Sequence, residues 1–196
     1  MTRLGNGMVE GLYHRLFLNV ALVVLSGAVG GCSFSISATK LEPPPSDTSA
    51  IAVGEMQADD PDRDRIARRF RRTLVTALQE TEAFDRVVSP PPPRVTLDTV
   101  IVTGRLVEVE DGSELLRFGL GLGAGSPSLR ARFEIRDSAG RILAAFEEDA
   151  RSFAGTGYAA HSRPADMDAL ADDFAVDTAE AIARWRRGEE LAGSIW

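Results

Sequence analysis

The chain has 196 residues, of which 44% are hydrophobic, 26% charged and 7% aromatic, enough apolar material for one core and too little length for two large domains. A net charge of -7 and a pI of about 4.9 argue against nucleic-acid binding, which rests on clustered cations that neutralise phosphates. A single cysteine excludes an internal disulfide framework and zinc sites built on paired thiolates, and two histidines exclude His-rich metal sites. No metal or cofactor is expected.

His14 and Arg15 precede the apolar run Leu16 to Leu25, which gives way to Ser26, Gly27, Ala28, Val29, Gly30 and Gly31. A basic flank, a short apolar core and a tail of small residues is the layout of a secretory signal. The run is shorter than the roughly 20 apolar residues of a membrane span, and Asn19 interrupts it. Val29-Gly-Gly-Cys32 resembles the lipobox of bacterial lipoproteins, with Val29 where leucine is commoner. The resemblance implies that residues 1–31 are a signal peptide and that Cys32 becomes the acylated N-terminus. Two or three acyl chains, at ~0.8 kcal/mol per buried methylene, anchor a protein stably. Ser33 stands where an aspartate would resemble an inner-membrane retention signal, so the expected place is the outer membrane, facing the periplasm. Met1 and Met8 both precede the basic flank and are alternative starts.

Residues 32–49, rich in Ser and Thr and carrying Pro43, Pro44 and Pro45, read as a flexible tether. Residues 50–187 read as one α+β domain, and 188–196 as a tail. Ile51 to Met56 alternate as a strand. Asp60 and Pro61 supply a cap and a first-turn proline for a helix with Ile66, Ala67, Phe70, Leu74, Ala77 and Leu78 on its apolar stripe. Phe84 to Val88 forms a short strand, and Pro90 to Pro93 a surface loop. Val95 to Glu110 reads as a long strand bending at Gly104. Leu129, Ala131, Phe133 and Ile135 point inward from the next strand, while Arg130, Arg132, Glu134 and Arg136 point outward. Asp137 to Gly140 turns the chain, and Ile142, Ala144 and Phe146 return it. Met167, Leu170, Phe174, Thr178, Ile182 and Trp185 share one face of a final helix, ended by Gly188. The order predicts a mostly antiparallel sheet of four to five strands covered on one face by two helices.

Chemistry is sparse along this chain. Phe118, Gly119, Leu120, Gly121, Leu122 and Gly123, with Gly125 beyond, repeat glycine at period two. Ala124 breaks the dinucleotide spacing, and Pro127 with a strand replaces the helix that such a site needs. The run reads either as a place where backbone approaches backbone or as an apolar partner-docking loop. Arg63, Arg65, Arg68, Arg69, Arg71 and Arg72 crowd the first helix. They read as a patch for an acidic surface or anionic lipid, or more plainly as a solvated face suited to the helix dipole. His161, in the loop from Gly155 to Pro164, is the one histidine after Cys32, so a histidine-dependent hydrolase would pair it with Ser152 or Ser162; no Gly-x-Ser-x-Gly elbow accompanies them. Asp98 has no acidic partner nearby in sequence, and Glu147, Glu148, Asp149, Asp172 and Asp173 lack calcium-loop spacing. No catalytic site is expected.

The series Arg117-Phe118-Gly119, Gly123-Ala-Gly125, Leu129 to Phe133 and Asp137-Ser-Ala-Gly140 resembles an uncharacterised family of bacterial lipoproteins, the domain of unknown function numbered forty-four ten. The resemblance extends over about Ser49 to Arg187, with Gly155 to Trp185 matching a Gly-rich loop before an Ala/Asp-rich helix, and implies no activity. The expected function is a non-enzymatic binding or assembly component of the cell envelope, held to the membrane through Cys32 and meeting an envelope protein partner. The alternatives are an envelope hydrolase using His161, or a lipid carrier with a cavity between sheet and helices.

Overall fold

The computed structural model describes residues 32–111, 127–152 and 167–189. They form β1 (Cys32–Leu41), β2 (Ala50–Ala58), a 3-10 turn (Pro61–Arg63), α1 (Asp64–Glu80), β3 (Arg86–Val88), β4 (Thr99–Glu110), β5 (Ser128–Arg136), β6 (Ile142–Ser152) and α2 (Met167–Arg186). The strands make one six-stranded sheet in the order β1-β6-β5-β4-β2-β3.

The α+β class is as expected, but the sheet is mixed. β2 runs parallel to both its neighbours, β3 and β4, while β1, β6, β5 and β4 pair antiparallel. The reason lies in the connection: α1 carries the chain back along the sheet before β3 begins, and a helical crossover delivers the next strand in the same direction, whereas a tight turn reverses it. The hairpin from β5 to β6 is such a reversal. Asp137 Oδ1 accepts from the Ala139 and Arg141 amides at 3.0 and 2.9 Å, and Gly140 takes φ +83°, which costs glycine nothing.

The second correction concerns the tether. Its first part, Cys32 to Leu41, is an edge strand paired with β6 from Cys32↔Ser152 to Leu41↔Ala144. Phe34 and Ile36 pack on the core from one face, with serines between them, so the segment has the period-two alternation of a half-buried strand. Its remainder is held as well. Trp185 Nε1 donates to the Glu42 carbonyl at 2.8 Å, an Arg186 guanidinium N–H donates to the Thr48 carbonyl, and Thr48 is buried.

The core lies between the helices and one sheet face. Phe133 sits at its centre, with ring centroids of Phe146, Phe70 and Phe174 at 5.2, 5.7 and 6.3 Å. The six apolar positions expected of α1 and the six expected of α2 are all buried, and Gly188 closes α2 with φ +75°. In β4 the strand begins at Thr99, and Val100, Val102 and Leu106 face the core, while Leu97 is exposed ahead of it. α1 and α2 run side by side in the same direction. Arg69 Nε and Nη2 donate to Asp172 Oδ1 and Oδ2 at 3.0 and 2.6 Å, its Nη1 reaches Asp168 Oδ2 at 3.2 Å, and Arg65 Nη1 holds Asp168 Oδ1 at 2.7 Å. Thr73 Oγ1 adds a bond to Asp172 Oδ1 at 2.7 Å.

Candidate functional site

Register across four strands aligns Cys32 with the strand ends that border the two segments carrying the other sequence candidates. Cys32 of β1 faces Ser152 of β6, the adjoining Arg151 faces Ser128 of β5, and Ser128 faces Glu110 of β4. The residues that flank the glycine run, Asp111 and Pro127, therefore leave from the same edge as Cys32 does, and so does Ser152 ahead of the segment that holds His161. Phe118, Gly119, Leu120, Gly121, Leu122, Gly123 and Gly125 lie outside the described residues, as do His161 and Ser162.

The acidic and basic residues of β5 and β6 divide by strand phase. On the face away from the helices, Arg130 Nε meets Asp149 Oδ1 at 2.6 Å and Arg130 Nη1 meets Glu108 Oε2 at 3.1 Å, while Arg132 Nε meets Glu147 Oε2 at 2.7 Å. These are directly opposed cross-strand pairs, each worth a fraction of a kcal/mol in solvent. Glu108 reaches that face because β4 slips register between Leu106 and Glu108, which re-aims the side chains beyond the bulge.

Glu148, between Glu147 and Asp149, has the opposite phase and enters the core. It is fully buried, flanked in register by Ile36 and Ala131. Burial pushes its carboxyl up to about 8, against a smaller opposing effect of the Thr178 hydroxyl, and Asp177 and Asp149 add like-charge repulsion. Its Oε1 has no hydrogen-bond partner. Asp177, half-buried beside Asp173, is likewise raised, to about 6. The alternation Ala144, Phe146, Glu148, Ala150 carries this information in the sequence, since the predicted inward phase at Ala144 and Phe146 continues by two.

Asp98 acts as a clip. Its carboxylate accepts from Thr96 and Thr99, and Ser49 Oγ donates to Oδ2 at 2.8 Å, joining the start of β4 to the start of β2. The Thr96 hydroxyl, then that of Ser49, hold it below the usual carboxylate range.

The six arginines of the first helical segment fall into two sets. Arg63 pairs with Asp111, and Arg65 and Arg69 pair with α2. Arg68, Arg71 and Arg72 make no ion pair among the described residues, although Arg72 adds to the electrostatic lowering of Asp172, and with Val75 and Ser89 they line a surface groove of about 410 Å³. Arg71 Nε and Nη2 both donate to Ser89 Oγ, at 3.0 and 2.8 Å, and Ser89 Oγ donates to the Val53 carbonyl at 3.0 Å. The spacing i, i+3, i+4, i+7 of Arg68, Arg71, Arg72 and Val75 puts them on one helix face. What the sequence did not indicate is Ser89, which a short strand brings under that face. Among the described residues, no group of His, Cys, Asp and Glu is arranged to hold a metal ion, and no helix is long and apolar enough to cross a membrane.

A family model described as a domain of unknown function, DUF4410, matches residues 33–156. No curated protein matches the chain. Among solved structures, a PelC dodecamer from Paraburkholderia phytofirmans is similar at TM-score 0.49 and 12% identity, covering 80% of this chain and 99% of its own. A variant of that protein gives 0.48 and 15%, covering 74% and 92%. A Xanthomonas campestris protein of the family DUF330 gives 0.43 and 11%, covering 76% and 91%.

Proposed function

The chain belongs to the DUF4410 family of unknown function, and we propose that it is a lipid-anchored protein of the bacterial cell envelope that works by binding rather than catalysis, on the periplasmic side of the outer membrane. The observation that carries this reading is the row Cys32, Ser152, Arg151, Ser128, Glu110 across one end of the sheet. An acylated Cys32 would hold that end at the bilayer, and Glu110 and Ser128, the strand ends on either side of the segment that contains the apolar glycine run, lie in the same row. The boundary agrees: β1 begins at Cys32 and the family match at residue 33, so cleavage before the cysteine would leave the domain whole. With β1 in the sheet there is little slack chain between anchor and fold, and the partner for which the Phe118 to Gly123 loop is proposed would be met close to the membrane.

A lipid carrier needs open volume between sheet and helices, and that space is filled by Phe70, Phe133, Phe146 and Phe174. The hydrolase alternative rests on His161 and is tested by His161→Ala, which leaves phenotype unchanged if the domain only binds.

Anchoring is tested in cells by fractionation and mass spectrometry. The native chain should yield a membrane-bound N-terminal peptide starting at Cys32 and carrying diacylglycerol and an amide-linked acyl chain, and Cys32→Ser should abolish the modification. An unmodified cysteine in a membrane-free fraction refutes the proposal.

A further inference from the structure

We propose that the groove between α1 and β3 is a binding site for a phosphate group, held by Arg68, Arg71 and Arg72. This stands apart from the anchoring of Cys32 and does not depend on it. Three guanidinium groups share one helix face of a chain whose net charge is -7, yet among the described residues no carboxylate lies within ion-pair distance of any of them. Their neighbours Arg65 and Arg69 form the ion pairs with Asp168 and Asp172, while Arg72 feels Asp172 only at longer range. Like charges at i and i+4, here Arg68 and Arg72, destabilise a helix unless an anion lies between them.

The arrangement is also braced. Arg71 converges its Nε–H and an Nη2–H on the single neutral oxygen of Ser89, which leaves the Nη1/Nη2 edge of the guanidinium, a two-donor fork, for an oxyanion. Ser89 is fixed in turn by the Val53 carbonyl of β2. The central cation is thus held against the sheet, and its remaining N–H donors stay available. A carboxylate brings one negative charge to three guanidiniums and leaves most of their charge unbalanced. A phosphate offers three or four oxygens and carries up to two charges. The groove is larger than a bare phosphate requires, and Val75 gives it one apolar wall, so a substituted phosphate fits as well as inorganic phosphate.

Two sources supply that chemistry, a free phosphate compound and an anionic lipid headgroup. The full chain, purified in neutral detergent, is titrated with inorganic phosphate and with dihexanoylphosphatidylglycerol. Dihexanoylphosphatidylcholine and chloride at matched ionic strength serve as controls. The readout is the Nε–Hε resonance of Arg71 together with the melting temperature. Saturable shifts should appear, and Arg68→Gln with Arg72→Gln should weaken binding at least ~10-fold, while Arg132→Gln on the opposite sheet face leaves it unchanged. The two substituted residues are exposed on α1, and single Arg72→Gln provides a milder variant with the same expected direction. Binding of the lipid at least ~10-fold tighter than phosphate assigns the headgroup as source, and comparable binding assigns a free phosphate group. No saturable response to either anion, or an equal response in the double variant, overturns the site.

Discussion

Thr178 Oγ1 lies 2.7 Å from Glu148 Oε2 and 2.8 Å from the Phe174 carbonyl oxygen, both inside the core. A hydroxyl has one proton to donate. If Glu148 were ionised, Thr178 would have to choose between two acceptors. A protonated Glu148 removes the conflict, because its O–H donates to Thr178 Oγ1, which then donates to Phe174. Geometry and burial therefore agree that the acid is neutral at pH 7.

The consequence for stability has a definite sign. The folded state holds the Glu148 proton up to about pH 8, whereas an unfolded glutamate releases it near 4.5. Between those values the folded state binds more protons, so stability falls as pH rises; the raised Asp177 acts in the same direction. The protein should melt lower at about pH 8.5 than at about pH 5.5. Glu148→Gln, which keeps the shape without the titration, should remove most of that slope. A parent whose melting temperature is flat over this window contradicts the assignment.

Gly104 should tolerate no side chain. A methyl group there would meet Met56 Sδ at 2.7 Å and the Phe133 ring at 2.7 and 2.8 Å. Met56 can swing, but Phe133 is wedged among three other rings. Gly104→Ala is expected to destabilise by ~1–3 kcal/mol, read by denaturant melts, without loss of secondary structure.

The two helices are joined by a network whose acids titrate low. The Arg69 guanidinium, ahead of the Thr73 hydroxyl, holds Asp172 below the usual carboxylate range, and Arg65 does the same for Asp168. Such groups contribute stability above their unfolded pKa and lose it as pH falls through the folded one. A double-mutant cycle of Arg69→Gln and Asp172→Asn should give a coupling of ~1 kcal/mol near neutrality, shrinking on acidification below about pH 4.

Trp185→Phe keeps the buried ring but removes the donor to Glu42. A loss of ~1 kcal/mol is expected, together with faster amide exchange at Thr48 and Ser49, whose segment the indole helps to pin. Unchanged exchange there would show that the Arg186 contact suffices.

Helices and the β5–β6 hairpin were legible because each element displays its own period. Ile66, Phe70 and Leu74 mark one helix face, and Leu129 to Ile135 alternate against charged residues. β1 was obscured because Ser33, Ser35 and Ser37 gave a loop-like composition, although Phe34, Ile36 and Ala38 between them held the strand alternation. The parallel sense of β2 depends on what a crossover does to chain direction, which no residue of β2 records. The arginine groove needed Ser89 and the sheet beneath it. A one-dimensional list of arginines does not separate those facing α2 from those facing solvent.

The pairing of β1 with β6 also governs the order in which the sheet can be completed. Thr39 and Ala145, joined by a hydrogen bond, stand 106 positions apart in the chain. Closing so long a loop is entropically expensive and slow compared with forming the local hairpin of β5 and β6. β1 comes first in the chain and pairs only with the last strand, so it finds its neighbour last. Until β6 is in place its backbone donors stay open, which makes this strand the exposed edge of the folding intermediate.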